Sequence, residues 1–362
     1  MPLAAVVSDF HIKPGLKLWY NHKPYNDFIL SSIQLRQILE RQGIQNVLIA
    51  GDIFDTPRIT ADCLENLQRH FLEPLYRLGV RVFYVNGQHD SRTPPWLVVF
   101  PWLVHLHEQQ VDLGPITISG LDFSLEARQK LKEIHTPVLL THQVWTDFIP
   151  EAEGVSSADI PDSVHLTLTG DFHRFEILPL DKGRRLVSIG PFCHTASEAS
   201  RLIDKHVLVL HEDLTIEPLK LLQRPIYRYQ SSPENLQNIY EEVLEKSKTT
   251  LEAIRQFCIP DVDIPIIVIE TGYEELTTLR EASQNLTQVY WKFLPKKTTV
   301  IEDRVELSSF DGVDFVGWVK KEFQKLHGNR EVLTNLLFSL YSNPSDAELW
   351  RRFFSSFENL SM

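Results

Sequence analysis

The sequence predicts an α/β fold with a mixed or two-sheet core. Short β-branched runs recur at residues 3–7, 47–50, 80–86, 138–141, 165–169, 186–189 and 207–210, each followed by a polar cluster. Helical patterns lie between several of them, and strands alternating with helices imply α/β architecture. Later strands crowd together with fewer helices between them, which favours a mixed or two-sheet core over a purely parallel one.

The elements follow in order. Residues 3–7 are apolar but short, lack a basic leader, and are interrupted by Asp9 and His11, so they read as a strand and not a signal peptide. Residues 27–42 place Phe28, Leu35, Ile38 and Leu39 on one helical face, and Gly43 offers a stop. Composition changes near Leu222-Gln223-Arg224-Pro225. A helical stretch over about 233–257, a strand at 266–270, a helix over about 273–284 and a strand at 288–294 then form a small α+β unit. Residues 296–308 read as a connector. Phe315, Val316, Val319, Phe323 and Leu326 make one apolar stripe, and Val332, Leu333, Leu336, Leu337 and Leu340 another. Ser345-Asp346-Ala347-Glu348 matches a capping box opening a helix with Leu349, Trp350, Phe353, Phe354 and Phe357 on its apolar side. The expected domains are a core at 1–222, a small unit at 223–300 and a helical segment at 309–357.

Length and composition bound the function. At 362 residues the chain fits two or three domains, and 43% hydrophobic with 23% charged residues excludes a disordered or fibrous protein. Lys and Arg number 36 against 48 Asp and Glu. Neither the first 221 residues nor the remainder is basic, so bulk charge announces no nucleic-acid binder. A basic groove or bound divalent cations would still change the local sign. Cys63, Cys193 and Cys258 stand far apart, which excludes a disulfide framework and a cysteine zinc site. The longest apolar run, 96–106, is broken by Pro101 and is too short to span a bilayer. A soluble, cytoplasmic protein without membrane contact is expected.

Five polar clusters follow five strands. They are Ser8-Asp9-Phe10-His11, Gly51-Asp52-Ile53-Phe54-Asp55, Gly87-Gln88-His89-Asp90, Thr141-His142 and Gly170-Asp171-Phe172-His173. Ligand sites in α/β sheets form outside the carboxyl ends of strands, so the five can converge. Each supplies Asp, His or an amide, the side chains that bind divalent metals through oxygen and imidazole nitrogen. Glycine before Asp52, Gln88 and Asp171 permits a sharp exit from a strand.

This order resembles the calcineurin-like metallophosphoesterases, whose pattern runs D-x-H, G-D-x-x-D, G-N-H-[DE], H, G-H-x-H. The resemblance implies a two-sheet αββα metallophosphoesterase sandwich holding two divalent cations, Mn²⁺ or Mg²⁺. Asp9, His11, Asp52 and His173 would hold the first. Asp52, Gln88, His142 and Asp171 would hold the second. His89 would act as general acid or transition-state stabiliser with Asp90 orienting it, and Asp55 would buttress the ligands. Gln88 stands where the family has Asn, and Asp171 where it has His; both fall at the second cation. Paired cations of this kind activate water and clamp phosphate oxygens for in-line attack.

Core, small α+β cap and C-terminal helices together resemble the SbcD/Mre-eleven nucleases of double-strand-break repair. That resemblance implies a homodimer, a cap that helps place DNA, and helices that grip an SMC-like ATPase of the SbcC type. It also implies 3′ to 5′ exonuclease and single-strand endonuclease activity. A weakened scaffold subunit and a small-molecule phosphodiesterase are the alternatives. Other features have plainer readings. His22, His70, His105, His107, His135 and His165 match no motif position and read as surface or core residues. His194 reads as a loop residue or a substrate contact, Arg184-Arg185 and Lys296-Lys297 as solvated surface or phosphate contacts, and the 96–106 run as core or dimer face.

Overall fold

The computed structural model describes residues 1–12, 26–90, 95–194, 203–272 and 275–295. The chain divides into two units at Lys296/Lys297, and every described residue belongs to the first. The expected helices of 309–357, together with His22 and Lys296-Lys297, lie outside the described residues.

The strands are β1 (Pro2–Val7), β2 (Asn46–Ala50), β3 (Arg81–Val85), β4 (Leu103–His105), β5 (Gln109–Leu113), β6 (Ile116–Leu121), β7 (Val138–Thr141) and β8 (Leu166–Thr169), then β9 (Glu176–Pro179), β10 (Arg185–Ser188), β11 (His206–His211), β12 (Ile216–Lys220), β13 (Ile226–Gln230), β14 (Ile266–Thr271) and β15 (Tyr290–Pro295). The helices are α1 (Asn26–Gln42), α2 (Ala61–Leu67), α3 (Glu73–Arg77), α4 (Ala127–Lys130), α5 (Leu236–Arg255) and α6 (Leu276–Ser283). A π-helical turn, Gln68–Leu72, joins α2 to α3.

Two mixed six-stranded sheets make the core. The first runs β12-β11-β1-β2-β3-β4 and the second β5-β6-β7-β8-β10-β9. Strands β1 to β4 are mutually parallel, and β11 and β12 complete that sheet antiparallel. In the second sheet β6, β7, β8 and β10 are parallel, with β5 and β9 antiparallel at the edges. This is the two-sheet α/β sandwich expected. Strands buried on both faces read as unbroken apolar runs. Ala4, Val6, Leu48 and Ala50 face Ile118, Val138, Leu140, Leu166 and Leu168 between the sheets. Their neighbours Ala5, Val7, Val47 and Ile49 turn the other way, onto Leu35, Ile38 and Leu39 of α1. That period of two fixes the register, because a one-residue slip would exchange the two faces. Gly43 ends α1 at a φ of +66°, the left-handed stop that glycine adopts without strain.

A third, all-parallel sheet runs β13-β14-β15. Leu236, Ile239 and Val243 of α5 and Leu279 of α6 cover its Ile267 and Ile269. Leu251 and Ile254, near the end of α5, pack with Leu30 of α1 and Val262. Beside them lies a fully buried ion pair, in which Arg224 Nε donates to Asp27 Oδ1 at 3.0 Å. Arg224 Nη1 also donates to Ile264 O at 3.1 Å.

One plain reading needs correction. Arg184 is buried, its guanidinium donating to Ile160 O and to the Asp181 carboxylate, and Arg185 Nη2 donates to Leu214 O. These cations hold loops instead of lying free on the surface. The 96–106 run is divided: Leu97 and Leu106 are buried, while Val98, Val99 and Val104 are exposed. Among the described residues, no helix is long and apolar enough to cross a membrane.

Candidate metal centre

The loops after β1, β2 and β3 of the first sheet meet those after β7 and β8 of the second. Backbone geometry sets the meeting point. Asp9, His11, Asp52 and Asp171 have φ of 53°, 47°, 50° and 78°. Left-handed backbone costs an L-residue roughly 1–2 kcal/mol, so surrounding contacts must hold it. Here Asp9 N donates to Gly51 O at 3.1 Å, His11 N to Asp52 O at 3.0 Å and Asp171 N to Asp9 Oδ1 at 3.1 Å. The three motif glycines do different jobs. Only Gly51, at φ +85°, supplies the sharp turn expected of all three. Gly87 and Gly170 are required for space. A Cβ on Gly87 would lie 2.0 Å from Asp52 Oδ1, and one on Gly170 2.3 Å from Ser8 Oγ and 2.5 Å from His142 Nδ1.

The side chains converge closely. His173 Nε2 lies 3.4 Å from Asp9 Oδ1, His142 Nε2 lies 3.4 Å from Asp52 Oδ2, and His11 Nε2 lies 3.7 Å from Asp52 Oδ2. His11 Nε2 and His173 Nε2 approach to 3.0 Å. Three groups offer ligand atoms within 4.8 Å of one another: Asp9, His11 and His173; Asp9, Asp52 and His142; and His11, Asp52 and His89. Asp9, His11 and Asp52 each sit in two of these groups, and Asp171 in none.

Donor chemistry supports a cation here. Asp52 spends Oδ1 on the His89 N–H at 3.0 Å, and Asp9 spends Oδ1 on the Asp171 N–H. Asp9 Oδ2, Asp52 Oδ2 and His142 Nε2 are buried and make no hydrogen bond. Orphaned buried oxygen and nitrogen are costly unless something else satisfies them. His142 Nδ1–H donates to Ala50 O at 2.7 Å, which leaves Nε2 as the ligating nitrogen. These residues fit one or more divalent cations.

The charges agree. Burial pushes the Asp9 and Asp52 carboxyls up, but neighbouring imidazoles outweigh it and hold both below the usual carboxylate range. Burial pulls His142 down, yet the charges of Asp52, Asp9 and Asp171 outweigh it and hold the imidazolium to about 10. Burial pushes the Asp171 carboxyl up, helped by Asp9 and Asp52 and opposed by His142 and Gln88.

The remaining predicted residues fall as follows. His89 stands at the rim, its side chain 43% exposed, with Nε2 3.9 Å from Asp52 Oδ2. Asp55 Oδ1 lies 3.3 Å from His11 Nδ1, outside hydrogen-bond alignment. Gln88 Nε2 donates to Asp171 Oδ1 at 2.6 Å. Asp90 departs from expectation. Its carboxylate accepts from Phe54 N at 2.9 Å, Gly87 N at 3.0 Å and Ile53 N at 3.2 Å, so it ties the β2 and β3 loops together instead of orienting His89. Burial and the Asp52 charge push it up to about 6.

Sequence reasoning missed a network beside the site. Asp122, just past β6, accepts from Asn86 N at 2.8 Å and Asn86 Nδ2 at 2.9 Å, and lies 2.8 Å from His105 Nε2. It braces Asn86 next to Gly87. Phe148 and Phe172 also stack, 5.0 Å apart and 3° from parallel.

No protein-family model matches the sequence, and no curated protein does. Among solved structures the chain is similar to a single mutant of Vps29 from Entamoeba histolytica, at 13% identity over 60% of this chain and 98% of that one, with a TM-score of 0.28. Wild-type E. histolytica Vps29 complexed with zinc gives 12% identity, 60% and 98% coverage and a TM-score of 0.29. Vps29 of Chaetomium thermophilum gives 15%, 60% and 94%, and 0.29. Likeness at this level assigns no residue and no activity.

Proposed function

We propose that the chain is a divalent-metal-dependent phosphodiester hydrolase of the calcineurin-like type. In this reading it acts on DNA as the nuclease subunit of a double-strand-break repair or recombination complex with an SMC-like ATPase. The observation that carries the reading is the convergence, from two sheets, of buried Asp9, His11, Asp52, His142 and His173 with orphaned ligand atoms. The order of the five motifs favours phosphoester chemistry. The small parallel-sheet unit and the C-terminal apolar stripes favour the SbcD/Mre-eleven type, with DNA, a homodimer and the ATPase as its partners.

Asp9, His11, Asp52 and His173 would hold one cation, and Asp52, Gln88, His142 and Asp171 the other. Bound there, Mn²⁺ or Mg²⁺ supplies Lewis-acid stabilisation of phosphate charge and a nucleophile at neutral pH. The chain does the rest. Buried carboxylates fix the charge, and Ala50 O fixes the His142 tautomer. His89, half-exposed at the rim, would give a proton to the departing sugar oxygen. Asp90 holds the loop that carries His89. The acidic total, 36 basic against 48 acidic residues, argues for help from the ATPase in holding DNA, because phosphate contacts are the main source of affinity.

The test is hydrolysis by the full chain with Mn²⁺ on linear duplex, circular single-stranded DNA and a nitrophenyl phosphodiester, with and without the ATPase. Cutting of DNA that Asp52→Asn abolishes is expected. No hydrolysis under any condition would leave a scaffold, and an ester cleaved far faster than any DNA would mean a small-molecule phosphodiesterase.

A further inference from the structure

The two positions that depart from the metallophosphoesterase order lie 83 residues apart, on loops of different sheets, yet their side chains bond to each other. Gln88 Nε2 donates to Asp171 Oδ1 at 2.6 Å. We propose that Gln88 and Asp171 are a matched pair that builds an oxygen-rich second cation site, shifting it away from zinc toward manganese and magnesium. The inference rests on the two-cation reading above and names the selectivity of its second site.

Chain length is the first argument. The family's Asn is one methylene shorter than Gln88, and its His is longer than Asp171. At Gln88, Asn would withdraw the amide by roughly 1.5 Å, one carbon–carbon bond, and open the contact beyond hydrogen-bond reach. The long residue and the short one therefore meet only as a pair.

Orientation is the second. The bond commits the amide nitrogen of Gln88 to Asp171, so the atom it can offer a cation is its carbonyl oxygen. Asp171 is held in turn: its backbone N–H donates to Asp9 Oδ1, and its φ is 78°. Buried Asp52 Oδ2 and His142 Nε2, which make no hydrogen bond, supply the other two donors.

Donor count is the third. In the metal-free fold Asp171 stands outside the three groups whose ligand atoms lie within 4.8 Å of one another, so the pair would close onto a cation held by Asp52 and His142, and the site would then offer three oxygens and one nitrogen. The family's order, with His in place of Asp171, offers two of each. Replacing imidazole by carboxylate also adds a negative charge. Hard oxygen donors suit Mn²⁺ and Mg²⁺, whereas imidazole suits Zn²⁺.

The experiment is calorimetric and elemental metal titration of the full chain with Mn²⁺ and Zn²⁺, for wild type, Gln88→Asn, Asp171→His and the double variant. Wild type should bind two Mn²⁺ per chain. Each single variant should lose at least tenfold in second-site Mn²⁺ affinity. The double variant should lose less than the product of the two and raise the zinc-to-manganese affinity ratio at least tenfold. Should a histidine variant fail to fold, Gln88→Met, similar in length but unable to donate to Asp171, should lose the second Mn²⁺. Multiplicative losses, an unchanged metal ratio, or a single ion in wild type would overturn the pairing. Coupled binding of two ions without phosphodiester hydrolysis would leave the pair standing and remove the proposed function. One bound ion with hydrolysis would do the reverse.

Discussion

A single methyl group added at Gly87 probes how tightly the metal centre is built. Gly87→Ala places Cβ 2.0 Å from Asp52 Oδ1 and 2.7 Å from the Asp52 backbone nitrogen. Non-bonded atoms settle at about 3.5–4.0 Å, so the carboxylate must retreat by roughly 1.5 Å. Side-chain rotation alone cannot relieve the clash, because the backbone nitrogen is crowded too. Overpacking of this kind costs about 1–3 kcal/mol. Gly79→Ala is the matched control. Nothing lies within 4 Å of its Cβ, but its φ of +71° makes alanine cost about 1–2 kcal/mol. Urea denaturation should show similar losses of stability for both variants. Calorimetric Mn²⁺ titration should separate them: Gly87→Ala loses at least tenfold in affinity, and Gly79→Ala keeps wild-type binding. Wild-type Mn²⁺ affinity in Gly87→Ala would refute the claim that Asp52 is held in place for a cation.

Three further predictions follow from the same contacts. The metal-free protein holds the His142 imidazolium to about 10, above its usual 6.5. That contribution to stability is full below pH 6.5 and is lost as pH rises through 10. A cation must displace this proton, so at pH 7 binding should release about one proton and tighten with rising pH; titration in buffers of different ionisation enthalpy measures it. Arg224→Ala removes the buried guanidinium that pairs with Asp27 and donates to Ile264 O, and should cost about 3–5 kcal/mol in denaturant unfolding, whereas removal of an exposed pair such as Lys182–Asp162 should leave the unfolding midpoint almost unchanged. His89→Ala should lower kcat by about 10²–10⁴-fold while elemental analysis finds the wild-type metal content; loss of the metal would move His89 from proton donor to ligand.

The sequence read most clearly where one physical demand acted alone. Strands β1, β2, β3 and β7 are buried on both faces, so they appear as apolar runs. Strands β5, β9 and β12 lie at sheet edges with much of their surface in water. They carry Gln109-Gln110, Pro179 and Pro218, which look like loop, because an edge tolerates proline that a central strand excludes. Asp122 was hidden because the inner strand before it, β6, is interrupted by Ser119 and Gly120 and does not read as an apolar run. The candidate ligand residues were legible because each follows a strand, where a polar residue after an apolar run stands out. Their partners were not. That Asp90 binds backbone N–H groups, that Gln88 reaches Asp171 and that Arg184 is buried all depend on contacts across the fold, and local spacing carries no trace of them.

The most direct test of the paired-cation centre is anomalous scattering from crystals of the full chain soaked in Mn²⁺. Two peaks are expected: one among Asp9, His11 and His173, and one beside His142, with Asp52 touching both. Density with no manganese peak within coordination distance of Asp9, Asp52 and His142 at saturating metal would contradict it.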